Sequence, residues 1–158
     1  MQIYGQPVSK TGYDIIDSPI FLYWMPVVKI LPGGQIQHPF VGGIKIHVSA
    51  DPADADRIAG ALLPLLQARK VSHKVVYPLE EYERMNTGPQ RGKFITVYPG
   101  PVPHSVSDLL VAMDTMLEAM KARPGLQPLD RQAGHQRPEP RFGRSGLITA
   151  VNVADYRK

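Results

Sequence analysis

Gly43-Ile44-Lys45-Ile46-His47-Val48-Ser49 alternates apolar and polar residues, the pattern of a strand with one face against a core. Successive side chains on a strand point to opposite faces. Ile44, Ile46 and Val48 therefore share one face, and Lys45, His47 and Ser49 share the other. The second face places a cation beside an imidazole, the side chain that gains and loses a proton near neutral pH. Two further segments look built to lie beside it, Ser72-His73-Lys74-Val75-Val76-Tyr77 and Gly92-Lys93-Phe94-Ile95-Thr96-Val97-Tyr98. Together they predict an anion-handling site on a sheet.

The 158 residues fit one domain spanning 1–158, and 43% hydrophobic residues are enough for one core. Sixteen prolines and fourteen glycines predict much loop. The absence of cysteine excludes disulfides, thiolate catalysis and cysteine-based zinc sites, and is compatible with a cytoplasmic protein. A net charge of +4 suits an anionic ligand or a phosphorylated partner and is weak for a duplex binder. The longest apolar stretch, Pro19 to Val28, is too short to span a bilayer, so no membrane partner is expected.

Outward from the central strand, residues 1–40 form an N-terminal arm. Within it, Ile20-Phe21-Leu22-Tyr23-Trp24-Met25 is either a buried strand or short helix, or an interface patch. Phe21 to Met25 is the first candidate surface for a homo- or hetero-oligomer. Asp51-Pro52 caps a helix running to about Lys70, with Ile58, Ala61, Leu62, Leu65 and Leu66 as its buried stripe and Pro64 as a kink. Val71 to Tyr77 is a second strand, Leu79 to Arg84 a short helix, and Lys93 to Tyr98 a third strand. A second long helix starts at Ser105 or Ser107 and buries Leu109, Leu110, Met113, Met116, Leu117 and Met120. Residues 124–140 hold four prolines and form a long loop, a candidate lid. Ser145 to Val153 is a last strand. The fold class is α+β: a mainly antiparallel sheet, two longer helices on one face and an open cationic face.

None of the five histidines makes a His-x-x-x-His or His-Glu-x-x-His pair, so no metal site is expected. No phosphate-binding loop, dinucleotide fingerprint or Gly-x-Ser-x-Gly elbow is present, and no cofactor is expected. The remaining candidates are cationic: Lys45 and His47 on one strand face, Lys74 in the next strand, and Arg84, Arg91, Lys93, Arg141 and Arg144 near strand ends. Singly, a lysine at a strand edge often only guards against aggregation.

Collectively, Lys45-Ile46-His47-Val48-Ser49, Lys74 within a strand, and Gly92-Lys93-Phe94-Ile95-Thr96-Val97-Tyr98-Pro99 resemble the lyase domain of class III and IV lanthionine synthetases. The same pattern is similar to the phosphothreonine lyase effectors of bacterial pathogens. The resemblance covers about residues 40 to 100, with a looser match at Arg141-Phe142-Gly143-Arg144. It implies metal-free β-elimination of phosphate from phosphoserine or phosphothreonine. On that basis Lys74 is the general base and His47 the general acid. Lys45, Lys93, Arg141 and Arg144 bind phosphate, with either Arg84 or Arg91 as a further arginine. A lysine base must be neutral part of the time, and a departing phosphate needs fixed cations where charge develops.

The resemblance further implies a phosphorylated peptide substrate, the precursor of a ribosomally made, lanthipeptide-like natural product. The synthetases carry kinase and cyclase domains as well, so a separate kinase protein is an expected partner, and a cyclase a further one. A secreted effector acting on host phosphoproteins is the other enzymatic version. A non-catalytic module gripping a phosphopeptide, leader peptide or partner protein is the alternative of another class. Single-stranded nucleic acid is a weaker alternative, because the aromatics do not interleave with basic residues.

Overall fold

The computed structural model describes residues 2–3, 6–7, 21–24, 29–30, 32, 36–37, 44–99, 103–129 and 138–152. Ten strands are described: β1 (Gln2–Ile3), β2 (Gln6–Pro7), β3 (Phe21–Trp24), β4 (Lys29–Ile30), β5 (Ile36–Gln37), β6 (Ile44–Val48), β7 (Ser72–Val76), β8 (Ile95–Tyr98), β9 (Arg141–Phe142) and β10 (Ile148–Asn152). The helices are α1 (Ala55–Ala68), α2 (Leu79–Met85) and α3 (Pro103–Ala119), with a 3-10 turn at Pro52–Asp54 leading into α1. Six strands form one sheet in the order β3-β7-β8-β6-β10-β9, every neighbouring pair antiparallel. The α+β fold is the one predicted, and the segment at Phe21–Trp24 is a strand at the sheet edge.

Register explains the core. Ile46 lies opposite Val97, and Val97 opposite His73. Val48 lies opposite Ile95, and Ile95 opposite Val75. Directly opposed residues share a face, so these rows build one apolar surface. Ile58, Leu62 and Leu66 of α1 and Leu109, Met113 and Leu117 of α3 join it in a single buried cluster. Their spacing is the i, i+4 stripe seen in the sequence. Pro64 sits on the exposed side of α1, and the helix runs on through it. The helix ends where Lys70 takes φ of 54° and Val71 N–H donates to Leu66 C=O at 2.9 Å, a left-handed stop.

The chain from 123 to 129 is tied to the end of β6. Asp51 N–H donates to Arg123 C=O at 3.0 Å, and Gly125 N–H donates to Ser49 C=O at 3.2 Å. Asp54 accepts from Arg123 N–H, Nε and Nη2, and these bonds hold its carboxyl well below the usual carboxylate range. Gly125 has to be glycine, since a Cβ there would run into the Ala50 carbonyl. Leu129 bridges Pro138 antiparallel, so the described ends of the stretch expected to be a long loop and candidate lid pair as a strap, residues 130–137 lying outside the described residues.

His73 is a histidine inside the core, 0% exposed, with Nδ1–H donating to Val71 C=O at 2.8 Å. Burial pulls its pKa from 6.5 to about 4, against the Val71 bond, which raises it. Between those values the unfolded chain holds more protons than the native one. Stability therefore rises with pH through that window, and its His73 part is lost as pH falls below 6.5 towards 4. The full effect is about 3 kcal/mol. Urea unfolding across this range should show the slope, and His73→Leu should remove about half of the histidine contribution, His47 having the same shift and supplying the rest.

Candidate active site

The register decides which predicted residues meet. Lys74 pairs with Thr96, Thr96 with His47, His47 with Thr149, and Thr149 with Arg141. These five residues form one row across β7, β8, β6, β10 and β9, on the face opposite the apolar surface. Lys74 and His47 are thus two strand spacings apart, about 10 Å between backbones, with Thr96 between them. Lys45 stands two residues from His47 on the same face, its Nζ 5.9 Å from the Tyr98 ring centroid.

This face is not open at its centre. His47 is 1% exposed, Thr149 1%, Thr96 2% and Lys93 6%. Over the row lies Glu139, itself 0% exposed. Its Oε1 accepts from His47 Nδ1 at 2.7 Å and from Thr149 Oγ1 at 2.7 Å. The strap delivers it: Glu139 N–H donates to Pro128 C=O at 2.8 Å, and Gln127 Nε2 donates to Glu139 C=O at 2.7 Å. Arg91 Nε donates to Gln127 C=O at 3.2 Å, which places Arg91 on the flank of the strap. The loop carrying Arg91 is pressed close there, because a Cβ on Gly92 (φ +76°) would meet the Leu126 carbonyl.

Lys93 Nζ donates to Gln90 Oε1 at 3.0 Å, and its charge is felt by both His47 and Glu139. Arg141 is exposed at the end of the row. Arg84 and Arg144 are not gathered with these groups. Arg84 sits on α2, 72% exposed, and donates to Glu81 at 2.7 Å. Arg144 lies in the turn before β10, its N–H bound to Asp114 Oδ2 of α3 at 2.9 Å, on the helical side of the sheet. Gly143 (φ +79°) lets that turn close onto the Asp114 carboxylate. Of the two arginines named as alternatives, Arg91 lies beside the strap and Arg84 faces solvent on α2.

Burial is the largest influence on His47 and lowers its pKa to about 4. Glu139 opposes this through its hydrogen bond and charge, while Lys45 and Lys93 reinforce it. Burial also works to raise the Glu139 carboxyl, but the His47 bond leaves it below its ordinary value. At neutral pH the pair is a neutral imidazole against a carboxylate. His47 Nε2 is buried with no partner among the described residues, so it is the ring atom left to exchange a proton with a ligand. A cation-ringed imidazole of this kind becomes a proton donor when an anion arrives beside it.

Sequence reasoning missed Glu139 and Thr149. Glu139 falls in Arg137-Pro138-Glu139-Pro140, which has no periodicity, and Thr149 gains its role only through pairing with His47. Among the described residues no cluster of three metal-ligating side chains is present, and no helix is long and apolar enough to cross a membrane.

A family model described as the RamC N-terminal domain matches residues 31–125. Among solved structures the chain is similar to the type III effector/phosphothreonine lyase OspF from Shigella flexneri. That match has a TM-score of 0.60 and 15% identity, over 93% of this chain and 77% of the other. It is also similar to the Chromobacterium violaceum VirA (SpvC) phosphothreonine lyase effector, with a TM-score of 0.57 and 15% identity, over 90% of this chain and 66% of the other. At that identity the likeness is one of fold. No curated protein matches the sequence.

The His47 ring offers a direct test. In free protein its NMR titration midpoint should lie near 4. Saturating inorganic phosphate should move the midpoint upward, because a bound anion favours the imidazolium. A midpoint near 6.5 that phosphate does not move would contradict the electrostatics described here.

Proposed function

We propose, for a chain that belongs to the RamC N-terminal domain family, that it is a metal-independent phosphoserine/phosphothreonine lyase. The observation that carries this reading is the row Lys74–Thr96–His47 across three adjacent strands. A base and an acid on one sheet face, about 10 Å apart, are spaced to serve the α-proton and the leaving oxygen of one phosphorylated residue. The neighbours of like fold, both phosphothreonine lyase effectors, support the same choice.

In the proposed reaction Lys74, as a neutral amine, takes the α-proton of the phosphorylated residue. The electron pair forms the α,β double bond, and the Cβ–O bond breaks. The phosphate leaves with that bond's electrons, and His47 Nε2–H protonates the departing oxygen. The products are a dehydroamino acid and inorganic phosphate, with no water consumed. Lys45, Lys93, Arg91 and Arg141 are the proposed phosphate ligands, their charges set where negative charge grows. Arg141 suits the rim, as a planar fork that can take two phosphate oxygens. The resting His47 is neutral, and a phosphate monoanion brings its own proton, since its second pKa is about 6. Substrate binding thus loads the acid.

The family supports a peptide precursor of a ribosomally made, lanthipeptide-like product as the substrate, phosphorylated by a separate kinase protein and passed to a cyclase. A second reading, a phosphopeptide-binding module, would use the same cations without turnover.

Incubation with a mixed phosphoserine/phosphothreonine peptide library, followed by mass spectrometry, decides between them. A lyase removes a whole phosphoric acid unit and leaves a dehydroamino acid. Lys74→Ala and His47→Ala should each reduce turnover by about 10²–10⁴-fold, the usual weight of one acid or base, and keep phosphopeptide binding. Phosphate loss with water added back would mean a phosphatase and sink the mechanism. Binding without any loss would favour the module.

A further inference from the structure

We propose that Glu139 is a positioning residue for His47. By accepting the Nδ1 proton it fixes the imidazole tautomer and aims Nε2 at the departing oxygen, while Thr149 holds the carboxylate in place. This inference rests on the elimination proposed above.

The argument starts from donor and acceptor chemistry. An ionised carboxylate only accepts hydrogen bonds. Glu139 Oε1 has two neighbours at 2.7 Å, His47 Nδ1 and Thr149 Oγ1, so both must donate. A neutral imidazole carries one N–H. With that proton on Nδ1, Nε2 is the basic nitrogen, and it has no partner among the described residues. The bond to Glu139 therefore fixes the ring and leaves Nε2, on its other side, as the nitrogen able to carry a proton.

Charge gives Glu139 a second role. The groups that face His47 come from every strand around it: Lys45 on β6, Lys93 before β8, Lys74 across Thr96 on β7, and Arg141 across Thr149 on β9. All are basic. Glu139 is the acidic side chain against the ring, and it makes a protonated ring tenable among those cations. Without it, Nε2 would be a poorer proton carrier.

The placement is built rather than incidental. Both backbone polar groups of Glu139 are engaged, the N–H by Pro128 and the C=O by the Gln127 side chain. The strap that supplies those partners is pinned to Ser49 through Gly125. Glu139 Oε2 is buried with no partner among the described residues, and a buried carboxylate left partly unserved costs stability. A merely structural residue here would have been better apolar.

The test uses the full chain with Glu139→Gln, Glu139→Ala and Thr149→Val. Phosphopeptide elimination would be followed for kcat, KM and pH dependence, and ¹⁵N NMR of the histidine rings would report the tautomer. Wild type should show His47 protonated at Nδ1 when neutral. Glu139→Gln keeps the shape but not the charge. It should lower kcat by about 10²–10⁴-fold, the full worth of an acid, with KM little changed. The limb of the pH profile due to His47 should move to lower pH. Thr149→Val should lower kcat about tenfold, the weight of one hydrogen bond.

Wild-type kcat and pH profile in both Glu139 variants would overturn the proposal, as would an Nε2–H tautomer in wild type. If wild type forms no dehydroamino acid, the elimination itself fails. The NMR arm still decides the present point: an Nδ1–H tautomer lost in Glu139→Ala, which removes the acceptor, sustains it, and one unchanged in Glu139→Ala overturns it. Should Glu139→Gln unfold, judged by urea denaturation, Thr149→Val carries the same readouts.

Discussion

The register of β6 between β8 and β10 is the constraint on which this molecule depends. Ile46 opposite Val97 and Val48 opposite Ile95 put the apolar side chains of three strands on one surface. The same pairing sets His47 against Thr96 and Thr149. A slip of one residue would send Ile46 and Val48 to the wrong face and bury Lys45 with His47 in the helical core. Core and site are two readings of one alignment, so the hydrophobic effect that selects the register also assembles the chemistry.

Electrostatics then acts on what the register has gathered. Burial strips water from His47, and the surrounding lysines make the neutral ring the resting form. Such a site is poor at holding a proton and good at attracting an anion. Glu139 balances it from above, tied by Thr149 and by the backbone of the strap. The opposite layer shows what burial does with no carboxylate in play. His73 is sealed in the core against a carbonyl, and burial likewise holds it low. Two histidines with similarly low pKa values thus have different neighbours. Among the described residues, His47 is the histidine with an unpartnered nitrogen, and it stands among cations.

Much of this was legible in the sequence, for reasons that differ by segment. The alternation in Ile44–Val48 suffices to assign His47 and Lys45 to one face. The stripes of α1 and α3 follow from helical spacing. Lys74 is harder. Ser72–Val76 ends in two valines that face opposite ways and are both buried, so its pattern does not reveal a side, and only pairing with Thr96 does. Arg84 shows the limit of charge reading, since an arginine near a strand end turned outward to the nearest carboxylate on its own helix. Glu139 lay beyond reach. Flanked by prolines, it obeys no period, and its meaning comes from contacts that a linear chain does not display.

The distance between His47 and Glu139 along the chain has a consequence for biosynthesis. The two residues are 92 positions apart, and Thr149 lies ten further on. Contacts this remote in sequence close late, because a long loop must first be ordered. During synthesis the central strand and its lysines emerge well before the strap that completes them. A nascent or truncated chain would therefore present cations able to hold an anion, but no oriented imidazole to act on it. Competence would arrive in one step, with the last strands in place.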